Sequence, residues 1–155
     1  MGKQLYIHYG SDHFDPNRFK IKNRNPAAWV KPIGGFWASK IDDRYGWKQW
    51  CDDNEFWNGP VEKIPRFIFS INDSANVVTI NTLEDLLTLP ECEHLDGLSM
   101  DQYYIDFEKC LEQGIDAIDV PDIHADRDLI YWALYGWDCN CILILNPNVI
   151  QEEKG

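Results

Sequence analysis

The chain has no apolar run near the roughly 18 residues that a membrane-crossing helix needs, and no basic-then-apolar leader, so a soluble, cytoplasmic protein without a signal peptide is expected. It is also short of positive charge. Against 26 Asp and Glu stand 14 Lys and Arg, giving a formal net charge of -12 and a pI near 4.6. Duplex nucleic acid and anionic membrane surfaces would be repelled at long range, which excludes both as partners held by direct electrostatics. A nucleotide stays admissible, because local donors act inside the screening distance of roughly 10 Å. Common reaction signatures are missing too: G-x-S-x-G, the P-loop, G-x-G-x-x-G, H-E-x-x-H and H-x-x-x-H do not occur. The five cysteines (Cys51, Cys92, Cys110, Cys139, Cys141) are odd in number and lack a C-x-x-C spacing, which fits reduced thiols and predicts no metal site.

What is present suffices for a core. Apolar residues make up 45% of the chain and aromatics 14%, which at 155 residues predicts one domain over 1–155. QLYIHYG (Gln4 to Gly10) alternates like a strand. Ser11 to Pro32 is polar, Asn-rich and basic, and Pro16, Pro26 and Pro32 forbid a long helix, so a long loop is expected, of a length that is usually functional or disordered. GGFWASK reads as a second strand, and YGWKQWC, with Trp47, Trp50 and Cys51 at helical spacing, as a helix. RFIFSIN and NVVTINT read as a hairpin or strand pair. Thr82 with Asp85 opens a helix over LEDLLTL, and a further helix is expected from Ser99 to Gln113. IDAIDV reads as a strand, DRDLIYWALYGW as a helix or helical turn, and CILILNP as a buried strand stopped by Asn146 and Pro147. The expected fold class is α+β: a single domain with mixed β-sheets of about six strands and about four helices.

Within KPIGGFWASK two glycines run into two large aromatics, which implies that backbone must come close to something. The end of the first strand, HYGS, has a related mix of small, polar and aromatic residues, and together the two suit a flat ring ligand lying against backbone amides. Motif order along the chain resembles the diphtheria-toxin-type ADP-ribosyltransferase-like fold. LYIHYGS is similar to that family's His-Gly first strand, and GGFWAS followed by YGWKQWC to its glycine-aromatic-small-Ser/Thr strand and helix. FIFSINDSANVVTINTLEDLLTL, IDFEKCLEQGIDAIDV and WDCNCILILNPNVI are similar to its middle and closing elements, so the resemblance covers nearly the whole chain.

That resemblance implies NAD as a substrate and transfer of ADP-ribose to a protein or small-molecule acceptor, with nicotinamide released. His8 or Tyr9 would meet the ligand beside Gly10 and Ser11, only one of the two facing the pocket because neighbours on a strand alternate. Gly35, Phe36, Trp37, Ser39 and Trp47 complete the implied NAD-binding set, with Phe36 or Trp37 stacking on the nicotinamide. The family's late-strand Glu has no counterpart. The nearest acids are Asp138, ahead of CILIL, and Asp119 or Asp122 in IDVPD, so the implied catalytic candidates are Asp138, Asp122 and His8. Arg18, Lys20, Lys22, Arg24 and Lys31 in the loop fit a pyrophosphate. Two other classes remain open: an acidic interaction or inhibitor protein directed at a basic protein target, and a nucleotide-binding module without turnover.

Overall fold

A computed structural model describes residues 4–15, 17, 19–22, 32–53, 63–92, 102–134, 137 and 139–153. In chain order the strands are β1 (Tyr6–Tyr9), β2 (Ile21–Lys22), β3 (Ile33–Gly34), β4 (Phe36–Lys40), β5 (Arg66–Ile71), β6 (Val77–Thr79), β7 (Ala117–Val120), β8 (Cys141–Ile144) and β9 (Ile150–Glu152). The helices are α1 (Trp47–Asp53), α2 (Leu83–Leu87), α3 (Phe107–Glu112) and α4 (Leu129–Ala133). Seven strands form one mixed sheet, in the order β6-β7-β8-β4-β1-β5-β9, and β2 pairs with β3 apart from it. Among the described residues only β6 and β7 run parallel; the other neighbours are antiparallel.

The apolar run CILI explains the centre of this sheet. All four residues of β8 are buried, and the strand lies between β7 and β4 with both faces covered. Cys141 and Leu143 join a core on one face with Ile118, Val120, Phe107 of α3 and Ile130 of α4. Ile142 and Ile144 join a second core on the other face with Tyr6, Phe36, Phe67 and Phe69. Burying an aliphatic or Phe side chain of this kind contributes roughly 1.5–3 kcal/mol.

Several expectations are met by local chemistry. Thr82 accepts from the Asp85 backbone N–H and Asp85 accepts in return from that of Thr82, a capping box that starts α2 where the sequence predicts it. Three others need correction. RFIFSI and VVT are not hairpin partners: β5 pairs with β1 and β9, whereas β6 pairs with β7 on the opposite side of the sheet. The apolar faces of both strands match partners distant in sequence, and this outweighs the short turn between them. The helix expected from Ser99 begins only at Phe107, where Asp106 caps it by accepting from Lys109 N at 3.0 Å. Ahead of that cap Ile105 bridges Glu91 in extended backbone, and Ser99 to Asp101 lie outside the described residues. The sheets also exceed the expected strand number, since the short β2–β3 pair and β9 carry little periodicity to reveal them.

Candidate functional site

β1 and β4 lie side by side, with Tyr6 opposite Lys40 and Ile7 opposite Ser39. Opposed residues share a face. This register sets Ile7, Tyr9, Trp37 and Ser39 on one face, and Tyr6, His8, Phe36 and Ala38 on the other. A cavity of about 270 Å³ opens on the first face, lined by Tyr9, Trp37, Ser39, Trp47 and Trp137, with Cys139 and Cys141 at its floor. The Trp37 and Trp137 rings meet edge to face at 4.8 Å, and Trp47 stacks on Trp50 at 5.1 Å. Such contacts hold the walls rigid at little entropic cost. The Arg66 guanidinium stands 5.4 Å over the Tyr9 ring.

Ser39 organises the cavity rim. Its hydroxyl accepts from Trp47 N at 3.0 Å, at the start of α1, and donates to the Asn140 carbonyl at 3.1 Å. Gly46 permits this approach, because a Cβ there would stand 2.8 Å from the Ser39 Cβ. Asn140 is a second hub: its Oδ1 accepts from Ile123 N at 2.7 Å and its Nδ2 donates to Asp43 at 2.9 Å. These two buried side chains tie β4, α1 and the segments flanking β7 and β8 to one rim.

His8 borders this cavity and a second one of about 290 Å³ that Ser11, Phe14, Gly35 and Phe36 help to line. Its ring stacks on Phe36 at 4.1 Å, and its Nδ1 lies 2.7 Å from the Trp37 carbonyl. A carbonyl only accepts, so Nδ1 carries the proton and Nε2 is left as an acceptor directed toward Gly10. Burial lowers the His8 pKa, opposed by that hydrogen bond. Below the unfolded value of about 6.5, the unfolded chain therefore holds the extra proton, and stability falls as pH drops toward the lower folded value. His8→Gln is expected to flatten this part of the profile. Urea midpoints measured from neutral pH to about pH 5 check it; equal slopes for variant and wild type would refute a buried neutral imidazole.

Of the residues singled out from the sequence, Tyr9, Trp37, Ser39 and Trp47 meet at the first cavity, Ser11, Gly35 and Phe36 at the second, and His8 at both. Gly10 ends β1, its N–H donating to the Pro65 carbonyl at 2.8 Å. Asp119 lies on the Tyr6 face, 8% exposed, with Lys40 Nζ at 3.9 Å. Burial raises its pKa; Lys40 lowers it and Asp43 adds to the rise. Asp122 is exposed and accepts from His124 N at 3.0 Å in its own turn. Asp138 lies outside the described residues, as do Arg18, Arg24 and Lys31 of the loop. Among the described residues no carboxylate lines the first cavity. Trp137, Cys139, Cys141 and Asn140 were not anticipated. Their signal is visible only as a cluster around Asp138, since an apolar strand start looks the same whether or not it borders a cavity.

In comparisons with known proteins, the chain matches no family model, no curated protein and no solved structure.

Proposed function

We propose that the cavity between β1 and β4 binds the nicotinamide end of NAD, on an ADP-ribosyltransferase-like scaffold, and that the protein transfers ADP-ribose to an acceptor with release of nicotinamide. One observation carries this reading. The HYG strand and the GFWAS strand are neighbours, and their shared face lines a single aromatic cavity with α1, the helix that follows the second motif. At about 270 Å³ the cavity lies at the small end of ligand sites, roughly 300–1,000 Å³, so it suits one ring with its sugar and not a whole dinucleotide. Tyr9 and Trp37 offer ring faces for the nicotinamide, and Ser39 holds the wall against α1.

Titration of wild type with NAD, together with a nicotinamide-release assay with and without candidate acceptors, tests the reading. Trp37→Leu is expected to weaken NAD binding about tenfold, the scale of one lost aromatic stack. Wild type that does not bind NAD would end this proposal. A second reading, NAD binding without turnover, is favoured by the lack of a lining carboxylate among the described residues. Binding without nicotinamide release in any acceptor mixture would decide for it.

A further inference from the structure

The second cavity, of about 290 Å³, lies on the Phe36 face of the sheet, and the loop after β1 supplies much of its wall. Three rings border it. Phe14 of the loop meets Phe36 of β4 edge to face at 5.3 Å and Phe19 at 6.2 Å. Two backbone bonds hold this wall to the sheet: Phe14 N donates to Glu152 of β9 at 2.9 Å, and Gly35 N donates to the Lys20 carbonyl at 2.6 Å. The polar groups on the lining accept hydrogen bonds or carry negative charge. Asp15 is partly buried and its Oδ1 accepts from Asn17 N at 3.0 Å, a contact that leaves the carboxylate charge uncompensated. His8 keeps Nε2 as an acceptor, since its Nδ1 donates to the Trp37 carbonyl, and burial works against its charged form. Ser11 adds a hydroxyl. Among the described residues no Lys or Arg lines this cavity; Lys20, beside Phe19 in sequence, is exposed. His13 stands at the rim with its ring 70% exposed and its Nδ1 2.7 Å from Asp12. A neutral or anionic guest would leave Asp15 without a counter-charge beside apolar rings, in a chain of net charge -12, whereas a cation offsets that charge and meets aromatic faces.

We propose that this cavity is a second binding site, for an alkylammonium group, with the Phe14, Phe19 and Phe36 rings around the guest and Asp15 as its counter-ion. An ammonium carries three donors, matched in number by the Asp15 carboxylate, the Ser11 hydroxyl and His8 Nε2. The volume falls just below the roughly 300–1,000 Å³ of sites for drug-sized ligands, so the guest is a short chain ending in the cation. The site is separate from the proposed nicotinamide cavity, on the other face of the sheet, and His8 alone borders both.

Amide chemical shifts of the isotopically labelled intact chain read location and affinity together. n-Butylammonium is expected to shift the amides of Ser11, Asp15 and Gly35 saturably and to bind about tenfold more tightly than n-pentanol, a neutral probe of similar size, while pentanoate binds more weakly than either. Asp15→Asn keeps the size and removes the charge, so it should weaken n-butylammonium about tenfold and leave n-pentanol unchanged. Phe19→Leu should weaken n-butylammonium about threefold, the worth of one cation–π contact at a partly exposed site. Added salt should weaken n-butylammonium binding to wild type more than to Asp15→Asn. A second arm uses Nα-acetyl-lysine methylamide: shifts at the same amides extend the guest to the lysine side chain of a protein, and their absence restricts it to free amines. Equal affinity for n-butylammonium and n-pentanol would overturn the proposal, as would tighter binding of pentanoate or an ammonium preference that survives Asp15→Asn. No saturable shift at these amides would overturn it as well. Each of these results stands apart from NAD titration, so this site and the nicotinamide site succeed or fail separately.

Discussion

Gly35→Ala is expected to destabilise the protein by roughly 2–5 kcal/mol, the sum of a left-handed backbone penalty of about 1–2 and an overpacking penalty of about 1–3. Both terms have a local cause. Gly35 has φ +80°, and a Cβ there would stand 2.7 Å from Leu143 Cδ1 and 3.1 Å from Ile21 Cδ1. Leu143 is fully buried in the central strand and has nowhere to withdraw, so the chain ahead of β4 would have to move. That movement would also strain the bond from Gly35 N to the Lys20 carbonyl, 2.6 Å long, which ties the loop to the sheet. Urea denaturation measures the loss. A change below about 0.5 kcal/mol would mean that the Ile21 segment yields freely and that the site needs no glycine.

On the transfer reading, Asp138→Asn is expected to lower nicotinamide release about 100-fold or more while NAD affinity changes little, since a fixed charge facing a developing cation acts mainly in the transition state. The choice of Asp138 follows from its neighbours in sequence. Trp137 and Cys139, on either side of it, both line the aromatic cavity. The rival acids have other roles: Asp122 is exposed and closes its own turn onto His124 N, and Asp119 faces Lys40 on the opposite side of the sheet. Asp122→Asn should therefore leave the rate within about twofold. Asparagine preserves size, so a folded variant that releases nicotinamide at the wild-type rate would remove Asp138 from the chemistry.

Elements with a strong local signal were legible from the sequence. β8 reads as a buried strand because CILI has no polar side to expose, and α2 reads as a helix because Thr82 and Asp85 satisfy its first N–H groups. Strand pairing was not legible. β5 and β6 are separated by a short turn, yet each finds its partner far along the chain, and period-two patterning carries no information about which strand lies alongside. The same limit applies to the site. Tyr9, Trp37, Ser39 and Trp47 could be singled out from two short motifs, and the register of β1 on β4 brings them to one face. Asn140 could not, because it acts through hydrogen bonds to Asp43 and Ile123, 97 and 17 residues away.

The late position of β8 in the chain has a consequence for synthesis on the ribosome. Among the described residues this strand is the only link in the sheet between β6-β7 and β4-β1-β5, so until residues 141–144 emerge the described strands of the two parts share no hydrogen bonds across the sheet. At roughly 5–20 residues per second, the β4 edge then waits several seconds with Trp37 short of its partner Trp137. The nascent chain cannot fold progressively from its start. It must hold an open strand edge until β8 arrives, which makes the unfinished polypeptide a candidate for chaperone capture and ties the completion of the aromatic cavity to the arrival of a strand encoded about a hundred residues after β4.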